Sequence, residues 1–159
     1  MRTDVVLGRA RAVAGLCSAL LAGVALTVLV LELASRDLDG PGYVRLRQAE
    51  YRPFTWFIGL ISVLTLASVI TLTIKAYKHE RHLIRPPVIA LALILVAVVI
   101  TIAVNGPINL EQLTWNPSTP PANWSQTRDH WQIAHAARTI ALTAAAVYLN
   151  KPANHGWKR

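Results

Sequence analysis

An all-α integral membrane fold, a four-helix bundle spanning a bilayer, is predicted by three observations. The 159-residue chain is 53% hydrophobic and only 15% charged, against about 25% charge in a soluble domain. Its apolar residues fall into four long blocks, Ala12–Ala34, Phe54–Tyr77, Val88–Val104 and Ile133–Leu149. Its sixteen Lys and Arg lie mostly between those blocks rather than along one stripe. A soluble core of this size has no room for so much apolar surface, so lipid is the natural solvent, and the chain reads as a single transmembrane domain, residues 1–159.

The blocks run 17–24 residues, the length a helix needs to cross hydrocarbon at about 1.5 Å per residue. Helices are expected at about 12–34, 54–77, 88–107 and 130–150. The first follows Arg2, Arg9 and Arg11 as a signal peptide would. Its apolar run exceeds the roughly 7–15 residues of a signal core and no A-x-A-like site follows closely, so it is read as a retained helix. The single cysteine, Cys17, lies inside it and excludes an intrachain disulfide. The fourth block is the least hydrophobic, but its Ala-rich stretch Ala141–Ala146 suits close helix packing in lipid.

Charge sets the expected orientation. Arg2, Arg9, Arg11, Lys75, Lys78, Arg81, Arg85, Lys151, Lys158 and Arg159 lie on one side, and Arg36, Arg45, Arg47, Arg52 and Arg128 on the other. Ten against five places both termini in the cytoplasm, with a bacterial plasma membrane as the expected location. The net charge of +8 fits lipid headgroups, and no nucleic-acid partner is expected, because the basic residues form no continuous stripe. The two outer connections are expected to be long loops of about 20 residues, and long connections more often carry function. The second, Asn105–Arg128, contains four prolines after Gly106 together with Trp115 and Trp124. It reads as an ordered cap, although Trp at that depth also suits an interfacial belt.

The sharpest chemical signal is Trp131, His135 and Arg138, whose spacings of four and three place them on one helix face. Arg138 falls about two turns inside the apparent boundary, where an ionisable group is costly unless paired or hydrated, so this face should point into the bundle. The bland alternative has Arg138 snorkelling outward and His135 bonded to a backbone carbonyl. Asn105-Gly106-Pro107-Ile108-Asn109 should end the third helix at a similar depth, bringing two amides near His135. Glu32 is the acid in the apolar part of the first helix, with Arg138, His135 or nearby Arg36 as partner. Gln112 and Trp115 are candidates to contact substrate. The spacing gives no standard metal motif; if a metal is bound, His135, His130 and Glu32 are the candidate ligands. No phosphate loop, nucleophile elbow or cysteine cluster is present.

The run Asn105-Gly-Pro-Ile-Asn109, a Trp- and Pro-containing cap, and Trp131-x-x-x-His135-x-x-Arg138 resembles the anthrone-oxygenase-like family of small four-helix membrane proteins. The resemblance rests on motifs in the C-terminal third and on length and hydropathy elsewhere. It implies a membrane-embedded oxygenase, a monooxygenase of secondary metabolite biosynthesis, that uses O₂ as co-substrate to oxidise a lipophilic, electron-rich aromatic molecule with no cofactor required. His135, Arg138, Asn105, Asn109 and Glu32 are then the catalytic candidates. His135 would take a proton, Arg138 and the two amides would hold the oxyanion, and Trp131 would stack on the substrate ring. Two other readings stay open: a metal- or haem-dependent oxidoreductase with His135 as ligand, and a non-enzymatic partner subunit or small-molecule carrier. Membrane lipid is an expected partner throughout, and a homo-oligomer is compatible with the sequence.

Overall fold

A computed structural model describes residues 2–151, with side chains from residue 5 onward. The expected charges at Lys158 and Arg159, and the side chain of Arg2, lie outside the described residues. The described residues form four helical rods. The first is α1 (Arg2–Ala34) and the second is α2 (Gly40–His79). The third comprises α3 (Arg85–Ile100), a π-helical turn (Thr101–Asn105) and α4 (Gly106–Leu113), and the fourth is α5 (Trp124–Asn150). The first three rods are each long and apolar enough to cross a membrane. In α5 the polar side chains turn inward while Ile133, Ile140 and Val147 face out, so its average composition understates how apolar its outer face is. Large exposed apolar residues ring the other rods too, from Leu16 and Val30 to Trp56, Leu60 and Val99, a surface suited to lipid rather than water.

The rods alternate in direction. Around the bundle α1 packs against α2 and α5, and α3 packs against α5 and, less closely, α2. α2 therefore faces α5 across the middle. The tight seam is made of small residues: Ala14, Ala22 and Ala25 of α1, Ala90 and Ala97 of α3, and Ala141, Ala145 and Ala146 of α5 are all buried. Apolar surface gains little by leaving lipid for a helix interface, so close backbone approach and van der Waals contact drive this packing. At the end carrying both termini, Arg11 donates to the Leu149 carbonyl at 3.2 Å and to that of Lys151. It thereby satisfies carbonyls that a helix C-terminus leaves unpaired and complements its dipole.

Two expectations are corrected at the opposite, capped end. The first long loop is mostly helix, because α2 begins at Gly40 rather than near residue 54. Asp39 caps it, its carboxylate accepting from the Gly42 N–H at 2.8 Å, and Pro41 sits in the first turn where its missing N–H costs nothing. Pro53 lies inside α2 on an exposed face, where the carbonyl it leaves free is not buried in protein. Nor does the third helix stop at Asn105-Gly106-Pro107. It widens into the π-helical turn and continues as α4. Pro107 lacks an N–H and so opens the ladder, while Gly106 passes where a Cβ would sit 3.1 Å from the Thr101 carbonyl. Such π turns accommodate an irregular residue and frequently mark functional sites.

The cap is well tied. Tyr43 and Val44 pack on Trp115, and the Tyr43 and Trp124 rings lie 5.7 Å apart. Gln48 donates to the carbonyls of Gln112 at 3.1 Å and Trp115 at 2.8 Å, closing the end of α4. Arg36 and Asp129, 3.0 Å apart, bridge α5 to the turn after α1.

Candidate functional site

Arg47, about two turns into α2, sits at the junction of three other rods. Its Nη1 donates to Glu32 Oε1 of α1 at 2.7 Å, its Nη2 to Asn109 Oδ1 at 2.9 Å, and its Nε to Gln112 Oε1 at 3.2 Å, the last two on α4. The same guanidinium lies 4.4 Å from the Trp131 ring centroid on α5. Its side chain is only 12% exposed and that of Glu32 only 4%. Taking two charges this far from water costs several kcal/mol per ion, which mutual attraction offsets only when the remaining donors and acceptors are also satisfied. Here they are. Gln132 Nε2 donates to Glu32 Oε2 at 3.3 Å and to the Glu32 carbonyl at 2.9 Å. The indole Nε1 of Trp131 donates to Asn109 Oδ1 at 2.7 Å.

Below this network α5 presents its predicted face. The Trp131 and His135 rings are stacked, 4.8 Å apart and within 10° of parallel. Arg138 Nε donates to His135 Nδ1 at 2.9 Å and Nη1 to Thr101 Oγ1 at 3.2 Å, in the π-helical turn. The other ring nitrogen, Nε2, is 3.0 Å from the Ala25 carbonyl. A carbonyl only accepts and an arginine only donates, so Nε2 carries the hydrogen and Nδ1 the lone pair. His135 is thus a neutral imidazole whose two nitrogens are both engaged. Arg138 reaches no carboxylate within ion-pair distance among the described residues.

These side chains line one end of a cavity of about 450 Å³ enclosed by α1, α2, the third rod and α5. That volume is within the range of roughly 300–1,000 Å³ usual for small-molecule sites. Glu32, Arg47, Glu50, Asn109, His135 and Arg138 supply its polar wall, and residues such as Val28, Phe54, Ile58, Ile94 and Leu142 supply the rest. Leu31, Val63 and Ile102 line the cavity and are also exposed on the outer surface of the bundle. The space therefore opens sideways, between rods. At Gly59, on the cavity wall, an added Cβ would meet nothing within 4 Å.

Of the residues singled out in the sequence, Glu32, Asn109, Trp131, His135 and Arg138 line this cavity. Asn105 does not. It is buried behind α5, its Nδ2 donating to the Trp131 carbonyl at 3.1 Å. Gln112 also stands behind the wall, accepting from Arg47 and donating to the Tyr43 hydroxyl at 3.3 Å. Trp115 belongs to the cap. Trp131 packs against both His135 and Arg47, so its indole is a wall of the cavity and not a free platform for a substrate ring. Glu32 pairs with Arg47 and not with Arg36, Arg138 or His135. The three candidate metal ligands do not fit a metal: His130 is exposed, Glu32 is held by Arg47, and both nitrogens of His135 are used. Among the described residues no three His, Cys, Asp or Glu side chains gather at one point.

Arg47, Glu50, Gln132 and Thr101 were not singled out from the sequence. Arg47 and Glu50 fall in the segment taken for an outer loop. The signal that could have found them is the Asp39-Gly40-Pro41 helix start, which puts Arg47, Glu50, Tyr51 and Phe54 on one continuing helical face.

A family model described as anthrone oxygenase matches residues 51–148. The matched segment contains Asn109, Trp131, His135 and Arg138 and leaves out Glu32, Arg47 and Glu50. No curated protein and no solved structure matches the chain.

The ion pair makes a prediction about stability. Glu32→Ala leaves a buried, unpaired guanidinium and is expected to destabilise the protein by about 3–5 kcal/mol, read as a lowered thermal midpoint in detergent. Replacing both partners, as in Glu32→Met with Arg47→Met, is expected to recover most of that loss. A single variant as stable as the parent would contradict the burial of the pair.

Proposed function

The chain belongs to the anthrone oxygenase family, and from that premise we propose that it oxidises a lipophilic, electron-rich aromatic molecule with O₂ inside the cavity. The observation that carries this reading is the pairing of Arg138, a cation with no carboxylate beside it, with an otherwise largely apolar cavity. A cation near the middle of a membrane helix costs roughly 2.5–3.5 kcal/mol on insertion scales. A site that holds one with no carboxylate within ion-pair distance is suited to a ligand that brings negative charge up to it.

An aryl ketone of the anthrone type fits that description. Loss of a proton from its CH₂ group leaves an anion whose charge rests largely on the ketone oxygen, and Arg138 would stabilise that oxyanion in a space sheltered from water. The anion gives its electrons to O₂, a C–O bond forms at the former CH₂ carbon, and the resulting hydroperoxide loses water to give the second carbonyl. The balance is CH₂ plus O₂ to C=O plus H₂O, with one oxygen atom in the product and one in water, a monooxygenase outcome suited to secondary metabolite biosynthesis. His135 acts here as a positioning residue: its Nδ1 lone pair aims Arg138, and the Ala25 carbonyl fixes its tautomer. The proton transfer that the sequence suggested for Nδ1 would first require Arg138 to move away.

The orientation belongs to the same reading. The ten-to-five distribution of Lys and Arg supports cytoplasmic termini and a cavity in the outer half of the membrane. In a Cys17→Ser background, Ser118→Cys is expected to react with an impermeant maleimide from outside and Lys151→Cys to be spared. The reverse pattern would invert the topology.

Activity is tested by O₂ uptake with anthrone as probe, after subtracting spontaneous autoxidation. The parent protein is expected to consume O₂ and release anthraquinone. Arg138→Met is expected to lower kcat by about 10²–10³-fold, the usual loss on removing an oxyanion donor, with Arg138→Lys in between. A parent protein that binds anthrone but takes up no O₂ is a carrier, and an Arg138→Met variant with full activity removes Arg138 from the chemistry.

A further inference from the structure

Two carboxylates line the cavity, and they differ in how they are held. Both oxygens of Glu32 are spoken for, Oε1 by Arg47 at 2.7 Å and Oε2 by Gln132 at 3.3 Å. Glu50 approaches only Arg47, with Oε2 3.7 Å from an Nη1 that already donates to Glu32. That separation is too long for a hydrogen bond, and no other donor reaches Glu50 among the described residues. Its side chain, 28% exposed, is a cavity wall with free lone pairs.

Its position follows from helix geometry. Glu50 lies three residues beyond Arg47 on α2, so roughly 4.5 Å further along the helix at 1.5 Å per residue. Trp131, level with Arg47, is followed by His135 at about 6 Å further along α5. The two helices run in the same direction on opposite sides of the cavity. Glu50 therefore stands across the cavity from the His135–Arg138 pair, a carboxylate with no hydrogen-bond donor among the described residues on one wall and the Arg138 guanidinium on the other. The other candidates for a base are occupied: His135 Nδ1 accepts from Arg138, and Glu32 is neutralised by Arg47.

We propose that Glu50 is the proton acceptor of this site, taking the acidic C–H proton of an aryl ketone whose oxygen is held by Arg138. The assignment rests on the oxygenase reading given above and adds to it a second catalytic residue. The C–H bond breaks and its proton passes to a Glu50 carboxylate oxygen. The electron pair moves through the ring to the ketone oxygen facing Arg138. After O₂ has accepted the electrons and joined the carbon, the peroxide anion takes the proton back from Glu50, which restores the carboxylate, and the hydroperoxide then loses its remaining C–H hydrogen and its outer OH as water to leave the second carbonyl. Proton acceptor and oxyanion donor on opposite walls would also fix which edge of an unsymmetrical ring system reacts.

The test uses the full chain in detergent or nanodiscs, anthrone as probe, O₂ uptake as readout and anaerobic anthrone binding as control. Glu50→Gln is expected to lower kcat by about 10²–10⁴-fold, the range of general-base catalysis, with KM and anaerobic binding unchanged. Glu50→Asp is expected to keep intermediate activity, and formate is expected to restore part of the rate to Glu50→Ala, which a merely structural role would not allow. Glu50→Gln at parental kcat overturns the assignment and leaves the oxygenase reading standing, as does a Glu50→Ala variant that binds anthrone but gains nothing from formate. Absence of O₂ uptake by the parent overturns the reading beneath it. If Glu50→Gln fails to fold, the Asp variant and the formate response decide the assignment.

Discussion

One buried guanidinium organises the capped end of this bundle. Arg47 leaves α2 to contact Glu32 on α1, Asn109 and Gln112 on α4 and the Trp131 ring on α5, so a single side chain joins four rods. Its burial demands those partners, because an unsatisfied cation in low dielectric costs more than any one contact returns. The second fixed point of α2 lies near the other end, where Val69, Leu72 and Ala76 enter the main apolar core with Ala14, Ala90 and Ile94. Between these two anchors α2 lines the cavity from Leu46 to Val63, and Thr65 then returns it to α1 by donating to the Cys17 carbonyl at 3.1 Å. The pocket lies beside the stretch of α2 that separates these two anchors.

The opposite wall is rigid for a different reason. Alanines let α1, α3 and α5 approach closely, and in lipid that packing is the main source of helix association. A close seam leaves little space for long polar side chains, so Trp131, His135 and Arg138 are turned together toward the loose side of the bundle. The π-helical turn contributes there as well. It brings Thr101 Oγ1 to Arg138, and the same hydroxyl donates back to the Ala97 carbonyl at 2.8 Å. His135 and Arg138 thus sit on the tight half of the molecule, and Glu50, 3.7 Å from Arg47, lines the cavity from α2.

The rods and the α5 face were legible in the sequence, because both rest on local periodicity. Four apolar blocks set the number of rods, and the spacing of Trp131, His135 and Arg138 set their common face. The family resemblance drawn from those same residues agrees with the match over residues 51–148. Features set by long-range partners were not legible. Arg47 looked like one of several outer-loop charges, since hydropathy ends the second helix where its polar first turns begin, although the chain stays helical back to Gly40. Asn105 and Asn109 are four residues apart and seemed equivalent. In the structure Asn105 turns to the Trp131 carbonyl while Asn109 lines the cavity, and no spacing rule separates the two. Trp115 read equally well as a lipid-interface residue, and only the Tyr43–Val44 cluster shows it belongs to the cap.

In the proposed reaction this cavity turns a neutral, lipophilic aryl ketone into its anion before O₂ takes part. That claim is tested most directly without oxygen, by recording the absorption spectrum of anthrone bound to the purified protein under anaerobic conditions. The red-shifted spectrum of the anion is expected, formed in proportion to the sites filled and lost when Arg138 is replaced by Met. Full occupancy with the spectrum of neutral anthrone would contradict it.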